Sequence, residues 1–196
     1  MKKIMIASTN KHKVDEFKLM LSPLGYEIHD ISEISGFEDV EETGVTFQEN
    51  AVLKAEHVVK YTDMMVIADD SGIEIEAFNW EPGVKSARYL GHDTDYTYKN
   101  TVILERMKDE TNRYARFVSA IALVIPSEDT KVFTGIFEGE IGTEIRGING
   151  FGYDPIFYLP ELGCSSSELS EEEKNKISHR GKALQEVLEY LKESKK

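Results

Sequence analysis

The spacing of hydrophobic positions along the chain changes several times, and each change predicts an element. Lys3 to Ala7 is a short apolar run and reads as a strand. From Lys11 to Leu21 the residues Val14, Phe17 and Leu21 recur at helical spacing, which predicts a helix with one buried face. Tyr26 to Ile31 fits a second strand. Thr46 to Tyr61 reads as a helix opened by a capping box, Thr46 with Glu49 three residues on. Val66 to Ala68 fits a short buried strand, and Asp93 to Lys108 another helix. Tyr114 to Ile125 and Lys131 to Phe137 are rich in β-branched and aromatic residues. They flank the turn-like Pro126-Ser127-Glu128-Asp129, so they predict an antiparallel hairpin. Ser170 with Glu173 forms a second capping box ahead of a short helix. The final helix carries Leu184, Val187, Leu188 and Leu191 on one stripe. Helices alternate with strands early and a long hairpin follows, the pattern of an α/β protein with a mixed sheet.

Composition narrows the function classes. The 196 residues suffice for one domain or one compact two-lobed unit, and no repeat, linker or low-complexity tract marks a boundary. A formal net charge of −13 argues against broad contact with nucleic acid, which needs a basic face. It also disfavours an anionic membrane surface. Cys164 is the single cysteine, so there is no internal disulfide and no cysteine-based zinc site. No apolar run approaches membrane-spanning length, and the apolar core of MKKIMIASTN is too short for a signal peptide. The expected location is the cytoplasm.

In open α/β sheets ligands gather beyond the carboxyl ends of strands, so the chemistry is sought there. In ASTNKHK, Ala7 to Lys13, a strand gives way to a helix whose free amides suit an anion, although a plain N-cap explains the loop as well. Glu41 and Glu42 precede a Thr-Gly turn and the capped helix, on which Lys54 follows. VIADDSG, Val66 to Gly72, takes an apolar run straight into two carboxylates. A turn explains one acid, whereas a hard divalent cation explains both. GFGYDPIF, Gly150 to Phe157, combines glycines that allow close backbone approach with an aromatic suited to stacking on a base. Ser178-His179-Arg180 reads as a helix start whose two cationic side chains oppose the helix dipole unless an anion sits there.

Taken together, ASTNKHK, EETGVTFQENAVLKA, IADDSG, EPGVKSARYLG, GFGYDPIF and KISHRG stand in the order and approximate spacing of the inosine/xanthosine triphosphate pyrophosphatase family. The chain resembles that family from Ala7 to Gly181. The resemblance implies an α/β fold with a long twisted mixed sheet flanked by helices, in two lobes with a central nucleotide-binding cleft. It implies a homodimer and Mg²⁺-dependent hydrolysis of ITP, dITP and XTP to the monophosphate and pyrophosphate. By the same resemblance Ser8, Thr9, Asn10, Lys11, His12 and Lys13 form the phosphate loop. Glu41 binds metal, Asp70 binds metal and activates water, and Ser71 is a neighbouring substrate contact. Phe151, Gly152, Tyr153 and Asp154 form the base pocket, and Lys174, His179 and Arg180 supply its remaining polar contacts. On this reading Asp69 orients the site from behind. Lys13, Lys54, Lys174, Arg180 and Arg88 supply a local positive field in an acidic protein. The rivals are a metal-dependent nuclease, a Maf-like nucleotide pyrophosphatase and a non-catalytic nucleotide-binding module.

Overall fold

The computed structural model describes residues 2–193. Its seven strands form one mixed sheet in the order β2-β1-β3-β4-β5-β6-β7. They are β1 (Lys2–Ile6), β2 (Tyr26–Asp30), β3 (Met65–Ile75), β4 (Tyr114–Val124), β5 (Lys131–Ile141), β6 (Phe157–Leu159) and β7 (Cys164–Ser165). β1 pairs in parallel with both β2 and β3, with Ile4 opposite Met65 and Ile6 opposite Ile67. β6 runs antiparallel to β5 and β7. The helices are α1 (Lys11–Leu21), α2 (Phe47–Val58), α3 (Tyr96–Arg106), α4 (Glu171–Ile177) and α5 (His179–Glu193). Among the described residues no helix is long and apolar enough to cross a membrane.

The chain divides into two compact units. The first comprises Met1–Asp70, Ser119–Gly135 and Arg180–Lys196. Its core joins Ile4, Ile6 and Ile67 of parallel strands to Val14, Phe17 and Leu21 of α1 and to Leu184, Val187, Leu188 and Leu191 of α5. Both helical stripes therefore bury the faces that their spacing predicts. The second unit comprises Ser71–Val118 and Ile136–His179. It packs Ile73, Ile75, Ile103, Phe117, Phe137, Tyr153 and Phe157 around another core.

Several boundaries differ from expectation. α3 starts at Tyr96 because the Asp95 side chain caps it, accepting from the Tyr98 N–H. Thr46 caps α2, but Glu49 reaches the Val45 N–H at 2.7 Å, so the capping box is only half made. The expected box of Ser170 and Glu173 is complete at α4. The largest correction concerns β3, which was expected to stop before the paired acids. It runs through Asp69, Asp70, Ser71 and Gly72 to Ile75. The acids are buried there, Asp69 at 1% and Asp70 at 6% exposure, which a strand tolerates only if each carboxylate is paired. Gly72 is required by packing, since a Cβ there would lie 2.3 Å from Ser86 Oγ.

Candidate active site

Side chains alternate across a strand, so neighbouring acids of β3 serve different partners. Asp69 accepts from Lys13 Nζ at 2.7 Å, Arg180 Nη2 at 3.0 Å and Ser119 Oγ at 2.5 Å. Arg180 also pairs through its other terminal nitrogen with Glu16 of α1. Burial opposes ionisation of Asp69, but Arg180 and Lys13 outweigh it and hold the carboxyl well below the usual range. Burial pulls the Lys13 ammonium down, with Asp69 opposing and Lys54 and Arg180 adding to the fall.

Asp70 faces a different set. Its Oδ1 accepts from Lys54 Nζ and its Oδ2 from Asn50 Nδ2, each at 3.1 Å. Lys54 and Asn50 are four residues apart on α2 and so share a helix face. Lys54 Nζ also reaches Glu42 Oε1 at 2.9 Å and the Asp69 carbonyl at 2.8 Å. Burial pushes the Asp70 carboxyl up against the pull of Lys54 and Lys13, and Glu42 adds to the rise. A buried carboxylate with a raised pKa, oriented by two donors, is suited to accept a proton.

The donor set also fits a hard cation. Three oxygens, from Asp70, Glu42 and the Asp69 carbonyl, surround one ammonium, and oxygens of this kind are what Mg²⁺ accepts. Among the described residues no cluster of three or more His, Cys, Asp or Glu side chains is placed to hold a metal. The set matches Mg²⁺, which commonly takes one or two carboxylates and completes its shell with water and phosphate. Glu41 is exposed, and the acid that the fold draws toward Asp70 is Glu42.

In the 8–13 loop, Asn10 is the N-cap of α1 and accepts from the N–H groups of His12 and Lys13 at 3.0 and 3.3 Å. Ser8 Oγ accepts from the Asn10 N–H at 3.1 Å. The plain N-cap expected of this loop is therefore present at Asn10, and it partly occupies amides that would otherwise suit an anion. Thr9, Asn10, Lys11 and His12 are exposed, with Ser8 and Lys13 half-buried.

The second unit holds the 150–154 turn. Asp154 Oδ2 accepts from Lys174 Nζ at 2.6 Å and the Phe151 N–H at 2.9 Å, and Oδ1 accepts from Ser166 Oγ at 2.9 Å. A Cβ at Gly150 would lie 2.3 Å from Asp154 Oδ2, and its φ of +70° is one that glycine adopts without strain. The Lys174 ammonium lies 5.2 Å from the centre of the half-buried Phe151 ring. Ser71, next to Asp70 in sequence, is half-buried at the start of this unit.

Four residues expected to contact the base have partners within the protein. Asp154 is 2% exposed, and its oxygens accept from the Phe151 N–H, Ser166 and Lys174. Tyr153 lies in the core with its hydroxyl donated to the Ser86 carbonyl at 2.7 Å. His179 is buried and stacked on Phe117 with ring centres 4.9 Å apart. Arg180, 1% exposed, meets Asp69 and Glu16: the anion that its helix start demanded is supplied by the protein itself. Of the five cations assigned to a positive field, Lys13, Lys54, Lys174 and Arg180 all pair with carboxylates. Sequence reasoning named Glu42 beside Glu41 without a role, and it missed Asn50, Ser119, Glu16 and Ser166. The four-residue spacing of Asn50 and Lys54 was also visible beforehand; Ser119, Glu16 and Ser166 arrive from distant segments.

The Ham1 family model matches residues 4–190. A protein named dITP/XTP pyrophosphatase from Bacillus subtilis (strain 168) is 47% identical over 193 residues, covering 97% of this chain and 98% of that protein. The solved structure of the Staphylococcus aureus Ham1 protein superposes with a TM-score of 0.88 at 44% identity, covering 98% of this chain and all of the other. A HAM1 protein from Coxiella burnetii gives the same TM-score and coverage at 42% identity.

Proposed function

The chain belongs to the Ham1 family, and from that premise we propose that it hydrolyses dITP, ITP and XTP to the monophosphate and pyrophosphate, acting as one catalytic domain. The observation that carries the mechanism is Asp70: buried, raised in pKa, and held by Lys54 and Asn50. Asp70 takes a proton from water as the water oxygen bonds to the α-phosphorus. The bond from the α-phosphorus to its bridging oxygen breaks, and pyrophosphate leaves. A carboxylate pushed toward neutral pH is the stronger base for this step, and such catalysis contributes about 10²–10⁴-fold.

Asp70 with Glu42 or Glu41 would hold Mg²⁺, which when bound neutralises phosphate charge. Lys13 and the exposed 8–13 loop serve the phosphates, and the Asp69–Arg180 pair fixes where the Lys13 ammonium stands. In the second unit Phe151 stacks on the purine, and Lys174, steadied by Asp154, donates to the keto oxygen at position 6. Adenine presents a donor there, so donor would face donor, and a site built for the opposite pattern rejects it far better than shape alone. A homodimer in the cytoplasm completes the proposal.

The test is pyrophosphate release from a panel of purine and pyrimidine triphosphates with Mg²⁺. ITP, dITP and XTP are expected to exceed ATP by at least ~10²-fold in kcat/KM, within the range that hydrogen-bond discrimination provides. Equal rates across the panel sink the proposal.

A further inference from the structure

The buried face of α3 presents Lys99, Asn100 and Ile103. Ile103 belongs to the core, and Asn100, 2% exposed, stands one turn before it on the same face. Its Nδ2 donates to the Gly152 carbonyl at 3.0 Å. Its Oδ1 is buried and, among the described residues, has no hydrogen-bond partner. A buried acceptor left unpaired is unfavourable, and leucine has nearly the same shape. What asparagine supplies and leucine would not is the bond to the Gly152 carbonyl.

The Gly152 bond has a directional consequence. Phe151 to Asp154 form a turn closed by the Asp154 N–H on the Phe151 carbonyl at 3.3 Å. Gly152 sits at φ +69° and Tyr153 at φ −93°, ψ 2°. The central peptide of such a turn rotates through Gly152 ψ and Tyr153 φ, and glycine, with no Cβ, leaves the first of these unrestrained. Holding the Gly152 oxygen against α3 opposes that rotation. Carbonyl and N–H point oppositely across a trans peptide, so the Tyr153 N–H is directed away from α3. Among the described residues that N–H makes no hydrogen bond.

We infer that Asn100 is a positioning residue for base recognition: it locks the Gly152–Tyr153 peptide so that the Tyr153 N–H donates to the position-6 keto oxygen of the purine. This rests on the reading of the turn as a base pocket. The test compares wild type with Asn100→Leu. In the variant, kcat/KM for ITP falls about tenfold, equivalent to about 1.4 kcal/mol, and the loss lies in KM. The rate on ATP stays within twofold, so the ITP-to-ATP ratio falls about tenfold. Inhibition by IMP weakens while inhibition by pyrophosphate does not. An unchanged ratio overturns the inference, as does an equal loss on ITP and ATP with a lowered melting temperature. If the variant does not fold, the wild-type amide resonance of Tyr153 decides: it shifts on addition of IMP, and a resonance that stays put overturns the inference. A wild type that releases no pyrophosphate from ITP overturns the pocket reading itself, and the inference with it.

Discussion

Replacing Asp69 with asparagine keeps the shape of the side chain and removes the charge that two cations share. Asp69 and Arg180 are each 1% exposed, and Lys13 completes the cluster at 2.7 Å. Removing one partner of a buried ion pair costs about 3–5 kcal/mol, because the remaining charge stays desolvated. Against a total stability of about 5–15 kcal/mol that is a large share. At roughly 2–4 °C per kcal/mol for a chain of this size, Asp69→Asn should lower the melting temperature by about 6–20 °C. The loss is pH-dependent. The folded carboxyl titrates well below its ordinary range, so its contribution is present above an unfolded value of about 3.9 and is lost as pH falls through the folded value. Urea unfolding at pH 7 should separate wild type from variant fully, and the gap should narrow as pH drops below about 4. A double-mutant cycle with Arg180→Met should give a coupling of up to about 3 kcal/mol. A loss under ~1 kcal/mol at pH 7, a gap that does not narrow on acidification, or zero coupling each refutes the clamp.

Asp70→Asn should cut turnover at least ~10²-fold with the melting temperature kept within a few degrees, and near wild-type rates at saturating Mg²⁺ contradict a base role. Phe151→Ala should raise KM for every purine triphosphate by similar factors, because stacking is indifferent to the base edge; a selective loss on ITP alone places Phe151 elsewhere. Lys174→Met should narrow the ITP-to-ATP ratio of kcat/KM, whereas Arg180→Met should lower activity with that ratio intact, since the Arg180 guanidinium lies on Asp69 and Glu16. The hydrogen bond to Glu33 raises the His29 pKa, with Glu27 assisting, so this cluster stabilises the fold below about pH 6.5 and the contribution fades as pH rises through the folded value. His29→Gln should remove that dependence in a pH series of unfolding curves, and an unchanged pH profile rejects it.

Where a segment's fate was decided by its own residues, the sequence was readable. The stripes of α1 and α5, the caps of α2 and α4 and the pair of strands β4 and β5 follow from periodicity and local hydrogen bonding. β5 even exceeds its expected length: it runs on from Phe137 to Ile141 because alternate residues there, Phe137, Gly139 and Ile141, are buried. The site was legible as a set of motifs but not as a set of partners. Arg180 was read as facing a ligand because two cations at a helix start need an anion. That electrostatic demand was correctly sensed, but Glu16 lies 164 positions away and no local pattern announces it. Asp154 was placed in the base pocket by resemblance, with no local sign of its protein partners. A carboxylate in a glycine-rich turn looks available until Ser166 and Lys174 are folded onto it.

The paired acids of β3 show why local reasoning fails there and what the fold gains. Read as a chain end, Asp69-Asp70 seemed too repulsive to bury, so the strand was expected to stop. A continuing strand removes the difficulty, because successive side chains leave on opposite faces and the two carboxylates need not share a site. Their environments then diverge: Arg180 and Lys13 drive one far down, while burial and Glu42 lift the other. Separate environments suit two like groups to different roles: one is held ionised, and the other is the proton acceptor of the proposed mechanism. The backbone joins them: the Asp69 carbonyl accepts from both Lys54 at 2.8 Å and Lys13 at 3.4 Å. The strand that carries the proposed base therefore also spaces the two lysines around it. A turn at this point would have left Asp70 on a mobile tip, whereas a central strand fixes its carboxylate to within the small tolerance that proton transfer demands.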